Sequence, residues 1–290
     1  MEQAILLISC PDSKGITAAV TGFVAAHNGN IIHADQHIDE QGHAPADTVS
    51  TFFMRVQWSL DGFDLKRDQI AAGFGPIARK FQMSWDLHFT GHKMRAAIFV
   101  SRHLHCLYDL LYRHQAGQLD CEFPVIISNH PDAKALAHDF KVKFHEFAVL
   151  KENKSAQERK QMALLEQENI DTIILARYHQ ILTPAFVQAY RNRIINIHHS
   201  FLPAFAGKNP YQQAYEKGVK LIGATSHYVT EMLDEGPIIE QDTARISHRD
   251  ALADLVRKGE DLERAVLNRA VRWHLERKIL CYGNKTVVFD

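Results

Sequence analysis

Three polar side chains in the carboxyl-terminal half of this 290-residue sequence have the chemical types that a hydrolytic site needs. Asn196 and His198 alternate at the end of an apolar, β-branched run that starts at Ile194, which is typical of a short buried strand. Because alternate side chains of a strand share a face, we expect the amide and the imidazole to project together. Asp234 follows 36 residues after His198, in the turn-like stretch Leu233-Asp234-Glu235-Gly236-Pro237. A carboxylate on such a loop could reach the other two groups.

Together, the three groups supply the parts for the attack of water on a carbonyl carbon. The carboxylate would take a proton from water, a step worth ~10²–10⁴ in rate, and each oxyanion donor is worth ~10²–10³. Taken singly, each residue also has a structural explanation, because a strand-end Asn is usually a cap and an Asp before Gly usually closes a turn. His198-His199 could also bind a metal, but no carboxylate or cysteine stands at a ligand spacing nearby, so we expect no metal ion.

The residues around this set resemble the catalytic signature of folate-dependent formyl transferases and hydrolases, and among them the formyltetrahydrofolate deformylases. The resemblance is carried by Asn196-Ile197-His198, Ser200-Phe201-Leu202-Pro203, Gly223-Ala224-Thr225 with His227, and Leu233-Asp234-Glu235-Gly236-Pro237-Ile238-Ile239. It implies that Asn196, His198 and Asp234 are catalytic and that the reaction is hydrolysis of 10-formyltetrahydrofolate to tetrahydrofolate and formate. It also implies no cofactor beyond the folate substrate, and a supply of formate to one-carbon metabolism and purine biosynthesis.

A second segment of the resemblance follows the most apolar predicted strand, Thr172–Ala176. In the related enzymes this segment is a wall of the pteridine pocket, which implies folate contacts at Tyr178, Gln180, Ile181 and Leu182. His199, next to the catalytic His198, is assigned separately to the substrate side, where it could orient the loop or the water. His179 departs from the Met that is common in the family, so its role is left open. Composition alone favours core positions for Ile181 and Leu182.

The acceptor of the formyl group is suggested by the turn after the first strand of the same domain. That turn reads Ser101-Arg102-His103-Leu104-His105-Cys106 and contains no glycine, whereas a glycine-rich turn lets backbone amides approach a phosphate. We therefore expect water rather than a nucleotide acceptor. Two other readings remain open: a formyltransferase with a small amine acceptor, and a non-catalytic folate and amino-acid sensor.

Charge and cysteine usage limit the partners and the compartment. A net charge of −1 and a pI near 7.0 give no electrostatic footprint for nucleic acid or an anionic membrane, which favours a small-molecule partner. The four cysteines have no CxxC spacing, the amino terminus does not resemble a secretory signal, and no apolar run approaches ~18 residues. These features predict a cytoplasmic protein with reduced thiols.

Residues 1–90 are predicted to form a ferredoxin-like βαββαβ unit and resemble an ACT domain. The predicted elements are strands at 4–9, 31–38, 48–58 and 84–90 and helices at 16–27 and 64–82, with Gly73, Gly75 and Pro76 weakening the second helix. The resemblance implies regulation and oligomerisation, with an amino-acid effector and a homo-oligomer, either a dimer or a homotetramer. The turn Pro11, Asp12, Ser13, Lys14 and Gly15 is the candidate effector site, because free amides at a helix start can hold a carboxylate. The alternative is that this turn merely joins two elements.

Residues 91–290 are predicted to form a Rossmann-like, mostly parallel α/β domain of the formyl transferase type. The predicted strands are 95–101, 124–128, 142–146, 172–176 and 286–289, and the predicted helices are 104–116, 131–140, 155–168 and 249–278, the last with Gly259 as a possible break. In such sheets, sites lie at the carboxyl ends of the strands, where Asn196 and His198 are expected.

Overall fold

The computed structural model describes residues 2–39, 50–204 and 210–290. The chain forms two compact units. The first takes in Met1–His92 with Arg277–Leu280 and Val287–Asp290, and the second takes in Lys93–Glu276 with Cys281–Thr286. Among the residues described, no helix is long and apolar enough to span a bilayer.

The first unit is built on a four-stranded antiparallel sheet with two helices. Its elements are β1 Gln3–Pro11, α1 Ile16–Ala26, β2 Ile31–Asp39, β3 Thr51–Ser59, α2 Arg67–Lys80 and β4 Ser84–Phe89. The strand order is β2-β3-β1-β4. The predicted ferredoxin-like arrangement is therefore confirmed, although Thr48 and Val49, where the third strand was predicted to begin, lie outside the described residues.

Helical periodicity of apolar residues explains both helices of this unit. Helix α1 buries Ile16, Val20 and Phe23 against the sheet, as the spacing predicts. Helix α2 continues through Pro76, because its apolar face, which includes Phe74, is buried in the same core. Burial of this face offsets the backbone hydrogen bond that the proline cannot make.

The second unit is an α/β fold. Its elements are β5 Met94–Val100, α3 His105–Gln115, β6 Cys121–Ser128, a 3-10 turn Pro131–Ala133, α4 Lys134–Asp139, β7 Lys143–Glu146, α5 Lys154–Gln167, β8 Thr172–Leu175, α6 Pro184–Ala189, β9 Ile194–His198, α7 Pro210–Lys217, β10 Leu221–Tyr228, β11 Ile238–Arg245 and α8 Leu252–Leu275. Strands β12 Ile279–Tyr282 and β13 Lys285–Val288 then form a separate two-stranded sheet.

The main sheet of the second unit is mostly parallel, as predicted. Its seven strands lie in the order β11-β10-β9-β8-β5-β6-β7, and the five from β9 to β7 are parallel. Strands β10 and β11 are antiparallel to their neighbours. The central strands are apolar on both faces, because helices cover a parallel sheet on both sides.

The possible break of the last helix at Gly259 does not occur. Helix α8 is continuous, and Gly259 lies where the ring of Tyr211 from α7 packs onto the helix. A Cβ atom at this position would be 2.1 Å from Tyr211 Cζ. Glycine therefore serves close packing between helices here rather than helix termination.

Candidate active site

Strand β9 presents Asn196 and His198 on one face. Across the antiparallel pair with β10, Asn196 lies opposite His227, and His198 lies opposite Thr225. The intervening Ile197 is buried, and His198 is only 6% exposed. The period-two alternation of a strand therefore sets two of the three predicted groups side by side.

Asp234 lies in the loop between β10 and β11, and its carboxylate lies close to side chains of β9 and β10. Its Oδ2 is 3.3 Å from His198 Nδ1, and its Oδ1 is 3.8 Å from His227 Nε2. Its φ is +57°, in the left-handed region that residues other than glycine seldom occupy. The structure thus brings Asn196, His198 and Asp234 together around His227.

The loop keeps this position through tight backbone packing at Gly236. A Cβ atom there would lie 1.7 Å from the carbonyl oxygen of Tyr228. The Tyr228 amide also donates a 2.9 Å hydrogen bond to the Pro237 carbonyl. The short turn before β11 is therefore fixed to the end of β10, two residues beyond Asp234.

His227 is a neutral imidazole that orients Asn196. Its Nδ1 must donate to the Tyr228 carbonyl, 3.0 Å away, because that oxygen can only accept. Its Nε2 then accepts from Asn196 Nδ2 at 3.1 Å, which leaves the second amide N–H of Asn196 for another acceptor. Burial lowers the pKa of His227, consistent with the neutral form. In the sequence, His227 is marked only by the family signature, because its position opposite Asn196 depends on the antiparallel pairing of β9 and β10.

The surroundings of Asp234 favour its ionised carboxylate, and those of His199 favour its neutral imidazole. Burial opposes ionisation of Asp234, but the hydrogen bond and charge of His198, together with His227, outweigh it and lower the pKa of Asp234. Burial, followed by the charge of Arg177, lowers the pKa of His199 to about 3. His198 Nε2 is buried and has no hydrogen-bond partner among the residues described. That nitrogen is consequently available to a ligand.

All of these groups line one cleft of about 260 Å³. Its other wall comes from the segment after β8 and from the loop before Asp234, which carry the exposed apolar side chains Ile181, Met232 and Leu233. All three residues lie in loops, and their side chains are 59–62% exposed. An apolar wall facing a few convergent polar groups is the usual form of a small-molecule site.

The four residues expected at the folate wall all line this cleft, but they differ in exposure. Tyr178 is buried in the core with its hydroxyl near Gln161, and burial raises the pKa of Tyr178 to about 12. Leu182 is also in that core, Gln180 is half-buried and Ile181 is exposed. The preference of composition for a core position therefore holds for Leu182 and is wrong for Ile181.

Helix α5 supports this wall with buried polar side chains. Glu158 accepts from the Thr183 amide at 3.2 Å, and Gln161 reaches the Tyr178 hydroxyl at 3.4 Å. The apolar side chains of the same helix pack against this core as well, with Leu165 buried and Met162 and Leu164 partly buried. Irregular backbone needs hydrogen-bond partners when it is buried, and these polar residues supply them.

A further polar group lies behind the cleft. His105, Cys106 and Glu263 have potential ligand atoms within 4.8 Å of one another. Both oxygens of Glu263 already accept hydrogen bonds, from His105 Nε2 at 2.8 Å and from the Tyr211 hydroxyl at 2.5 Å. The Arg177 guanidinium lies beside the same carboxylate, so its negative charge is already balanced.

In the first unit, the candidate effector turn Pro11–Gly15 is exposed between β1 and α1. The Asp12 amide donates to the Ser50 carbonyl at 2.8 Å, and Gly15 has a φ of +94° at the start of α1. No side chain among the described residues caps the helix there.

Comparison with known proteins gives one consistent result. The formyl transferase family matches residues 94–271, and the ACT domain family matches residues 4–56. A formyltetrahydrofolate deformylase of Synechocystis is 54% identical over 99% of this chain and 98% of its own length, and that of Bacillus subtilis is 50% identical over 100% and 94%. The crystal structure of a formyltetrahydrofolate deformylase from Pseudomonas syringae superposes with a TM-score of 0.94 at 43% identity, covering 100% of this chain and 95% of that one. The chain belongs to the formyltetrahydrofolate deformylase family.

Proposed function

We propose that this protein hydrolyses 10-formyltetrahydrofolate to tetrahydrofolate and formate. The observation that carries the proposal is the convergence of Asn196, His198 and Asp234 in the polar corner of an otherwise apolar cleft. Membership of the deformylase family over the full chain supports the same reaction.

In the proposed mechanism, the three groups act on a water molecule and a formyl carbonyl. Asp234 takes a proton from the water as its oxygen attacks the formyl carbon. Protonated His198, which donates from Nδ1 to Asp234, directs its free Nε2–H at the developing oxyanion, and the spare N–H of Asn196 adds a second donor. The carbon–nitrogen bond then breaks, and N10 leaves as an amine after it gains a proton.

The folate itself is assigned to the wall formed by Tyr178, Gln180, Ile181 and Leu182, with His199 on the reaction side. The exposed side chains of Ile181, Met232 and Leu233 support this assignment, because a flat pterin ring would remove them from water. We assign no metal and no cofactor to the reaction.

The decisive experiment measures tetrahydrofolate formation from 10-formyltetrahydrofolate in a chelator-containing buffer, without any added acceptor. We expect turnover by the wild-type protein and a ~10²–10⁴-fold lower kcat for Asp234→Asn, because an amide cannot accept the proton from water. The matched control is Asp139→Asn, at an exposed aspartate at the end of α4, which should keep full activity. Absence of turnover in the wild type refutes the function. An Asp234→Asn variant with the kcat of the wild type refutes the role of the carboxylate.

We further propose that residues 1–90 are a regulatory and oligomerisation domain and that residues 91–290 are catalytic. The edge strand β2, on which Ile32 and Ile38 are 50% and 40% exposed, supports pairing between subunits in a dimer or homotetramer. An amino-acid effector at Pro11–Gly15 is part of this proposal, as are a cytoplasmic location and a role in one-carbon and purine metabolism. Sedimentation analysis tests the oligomer, and turnover with each amino acid added tests the effector.

A further inference from the structure

Arg177 is a buried arginine whose guanidinium donates no hydrogen bond to any residue that the structure describes. The residue is 8% exposed, and it lines the catalytic cleft just after β8. Its Nε is fully buried and has no hydrogen-bond partner within residues 2–39, 50–204 and 210–290. Buried donors without partners are rare in folded proteins, and because Nε is sealed from solvent, a ligand in the cleft would meet the two Nη nitrogens of the guanidinium.

Glu263 balances the charge of Arg177 without using its donors. Arg177 Nε lies 3.4 Å from Glu263 Oε2, outside hydrogen-bond geometry. The two Glu263 oxygens instead accept from His105 and from Tyr211. Glu263 is fully buried, and although burial opposes its ionisation, the hydrogen bond from His105 and the charge of Arg177 lower the pKa of Glu263 to about 2. The cation is therefore stable at this depth, while its N–H groups donate no hydrogen bond within the described part of the chain.

The backbone at Arg177 points to the same conclusion. In the described part of the chain, eight residues other than glycine have a positive φ, and six of them lie two or three residues beyond the end of a helix. The other two are Asp234 and Arg177, with φ of +57° and +65°. Both line the cleft, and strained backbone outside helix ends is characteristic of functional positions.

We propose that Arg177 forms a binding site for a carboxylate in the catalytic cleft, and that this carboxylate is the formate product. The planar fork of a guanidinium matches a carboxylate with two parallel hydrogen bonds. The inference rests on the proposed function, because hydrolysis generates formate inside the same cleft. The water oxygen bonds to the formyl carbon, the bond to N10 breaks as N10 gains a proton, and formic acid releases its remaining acidic proton to solvent as formate.

The charges of the cleft favour movement of the newly formed formate towards Arg177. Formate forms beside the carboxylate of Asp234, which repels it, while Arg177 in the wall of the same cleft attracts it. Arg177 would thus draw the product away from Asp234. A second source of a carboxylate is the glutamate tail of the folate substrate, and substrates with and without that tail distinguish the two sources.

The first test measures the binding of ¹³C-formate to the full-length protein by NMR titration, with no folate present. We expect Arg177→Gln to weaken formate binding by about tenfold or more, because a charge-assisted bidentate contact is lost. Arg177→Lys should bind with intermediate affinity, because it keeps the charge without the fork. The matched control is Arg191→Gln, at an exposed arginine after α6, which should bind formate as the wild type does. Equal affinities of the wild type and Arg177→Gln would overturn the proposal.

The second test separates the two sources of the carboxylate. Under the proposal, Arg177→Gln changes KM equally for 10-formyltetrahydrofolate and for 10-formyltetrahydropteroate, which lacks the glutamate. A KM that rises only for the glutamate-bearing substrate assigns Arg177 to the tail and overturns the formate site. Thermal unfolding of both Arg177 variants shows whether they are folded. If Arg177→Gln does not fold, Arg177→Lys provides the test in its place.

The inference and the proposed function fail in different measurements. Turnover by a wild-type protein whose formate affinity does not depend on Arg177 refutes only the formate site. Formate binding that depends on Arg177, in a protein without turnover, refutes only the hydrolase function.

Discussion

The loop that carries Asp234 leaves no room for a side chain at Gly236, which makes Gly236→Ala a sharp perturbation of the site. The added Cβ would lie 1.7 Å from the Tyr228 carbonyl oxygen, whereas Cβ atoms in proteins do not approach other heavy atoms within 3.0 Å. The two segments must therefore separate by at least 1.3 Å, the difference between 3.0 and 1.7 Å.

Two groups of the site move with this separation. Asp234 lies two residues before Gly236, and the displaced carbonyl is the acceptor that holds His227 in its tautomer. Misplacing a catalytic group by about 1 Å can cost ~10²-fold in rate, so we expect kcat to fall about 100-fold. Overpacking should lower the free energy of unfolding by about 1–3 kcal/mol, which leaves a domain of ordinary stability folded.

The assay combines tetrahydrofolate formation at saturating substrate with chemical denaturation. The matched control is Gly22→Ala in helix α1, where a Cβ meets nothing within 4 Å. This control should keep the wild-type kcat and gain about 0.5–1 kcal/mol, because alanine favours the helix. If Gly236→Ala retains kcat within about threefold of the wild type, the loop tolerates the side chain and the positioning argument is wrong.

Three more predictions concern other packed or titrating groups. His227→Phe removes the acceptor of Asn196 Nδ2, so kcat measured by tetrahydrofolate formation should fall roughly tenfold. Gly259→Ala should lower the free energy of unfolding by about 1–3 kcal/mol despite the higher helix propensity of alanine, because Tyr211, fixed through its hydroxyl, occupies the space. Burial, with the charge of Arg277 nearby, lowers the pKa of His88 to about 4, so the unfolded chain binds more protons between about pH 4 and 6.5. Stability measured by denaturation should therefore fall as the pH decreases through that window, and less steeply in His88→Gln.

Each of these predictions has a contrary result. Wild-type kcat in His227→Phe would mean that Asn196 is oriented without the imidazole. A stabilised Gly259→Ala would mean that the Tyr211 ring moves aside freely. An unchanged slope of stability against pH in His88→Gln would mean that His88 titrates normally in the folded protein.

Local sequence patterns were sufficient to predict much of the fold and part of the site. Apolar spacing predicted helix α1 and strand β9, and alternation along β9 placed Asn196 and His198 on one face. These features depend on neighbours in the sequence, so periodicity is sufficient to find them. The turn composition around Asp234 likewise indicated a loop, since glycine and proline impose it locally.

Features that depend on distant partners could not be predicted in this way. Glu158 and Gln161 are buried because they bond the irregular segment after β8, whereas periodicity treats buried positions as apolar. Arg177 and Glu263 are 86 residues apart, and nothing local marks either as buried. The possible break at Gly259 is absent for the same reason, because the Tyr211 ring that requires glycine comes from another helix.

His227 and Asp234 come from one margin of the main sheet, which is formed by β10, the outermost strand β11 and the loop between them. The five parallel strands and their core can remain intact while this margin frays, since sheet edges open at lower free energy than the centre. Loss of turnover on mild heating can therefore precede cooperative unfolding. The enzyme would then be inactivated by a reversible local unfolding at one sheet edge, while the rest of the molecule stays native.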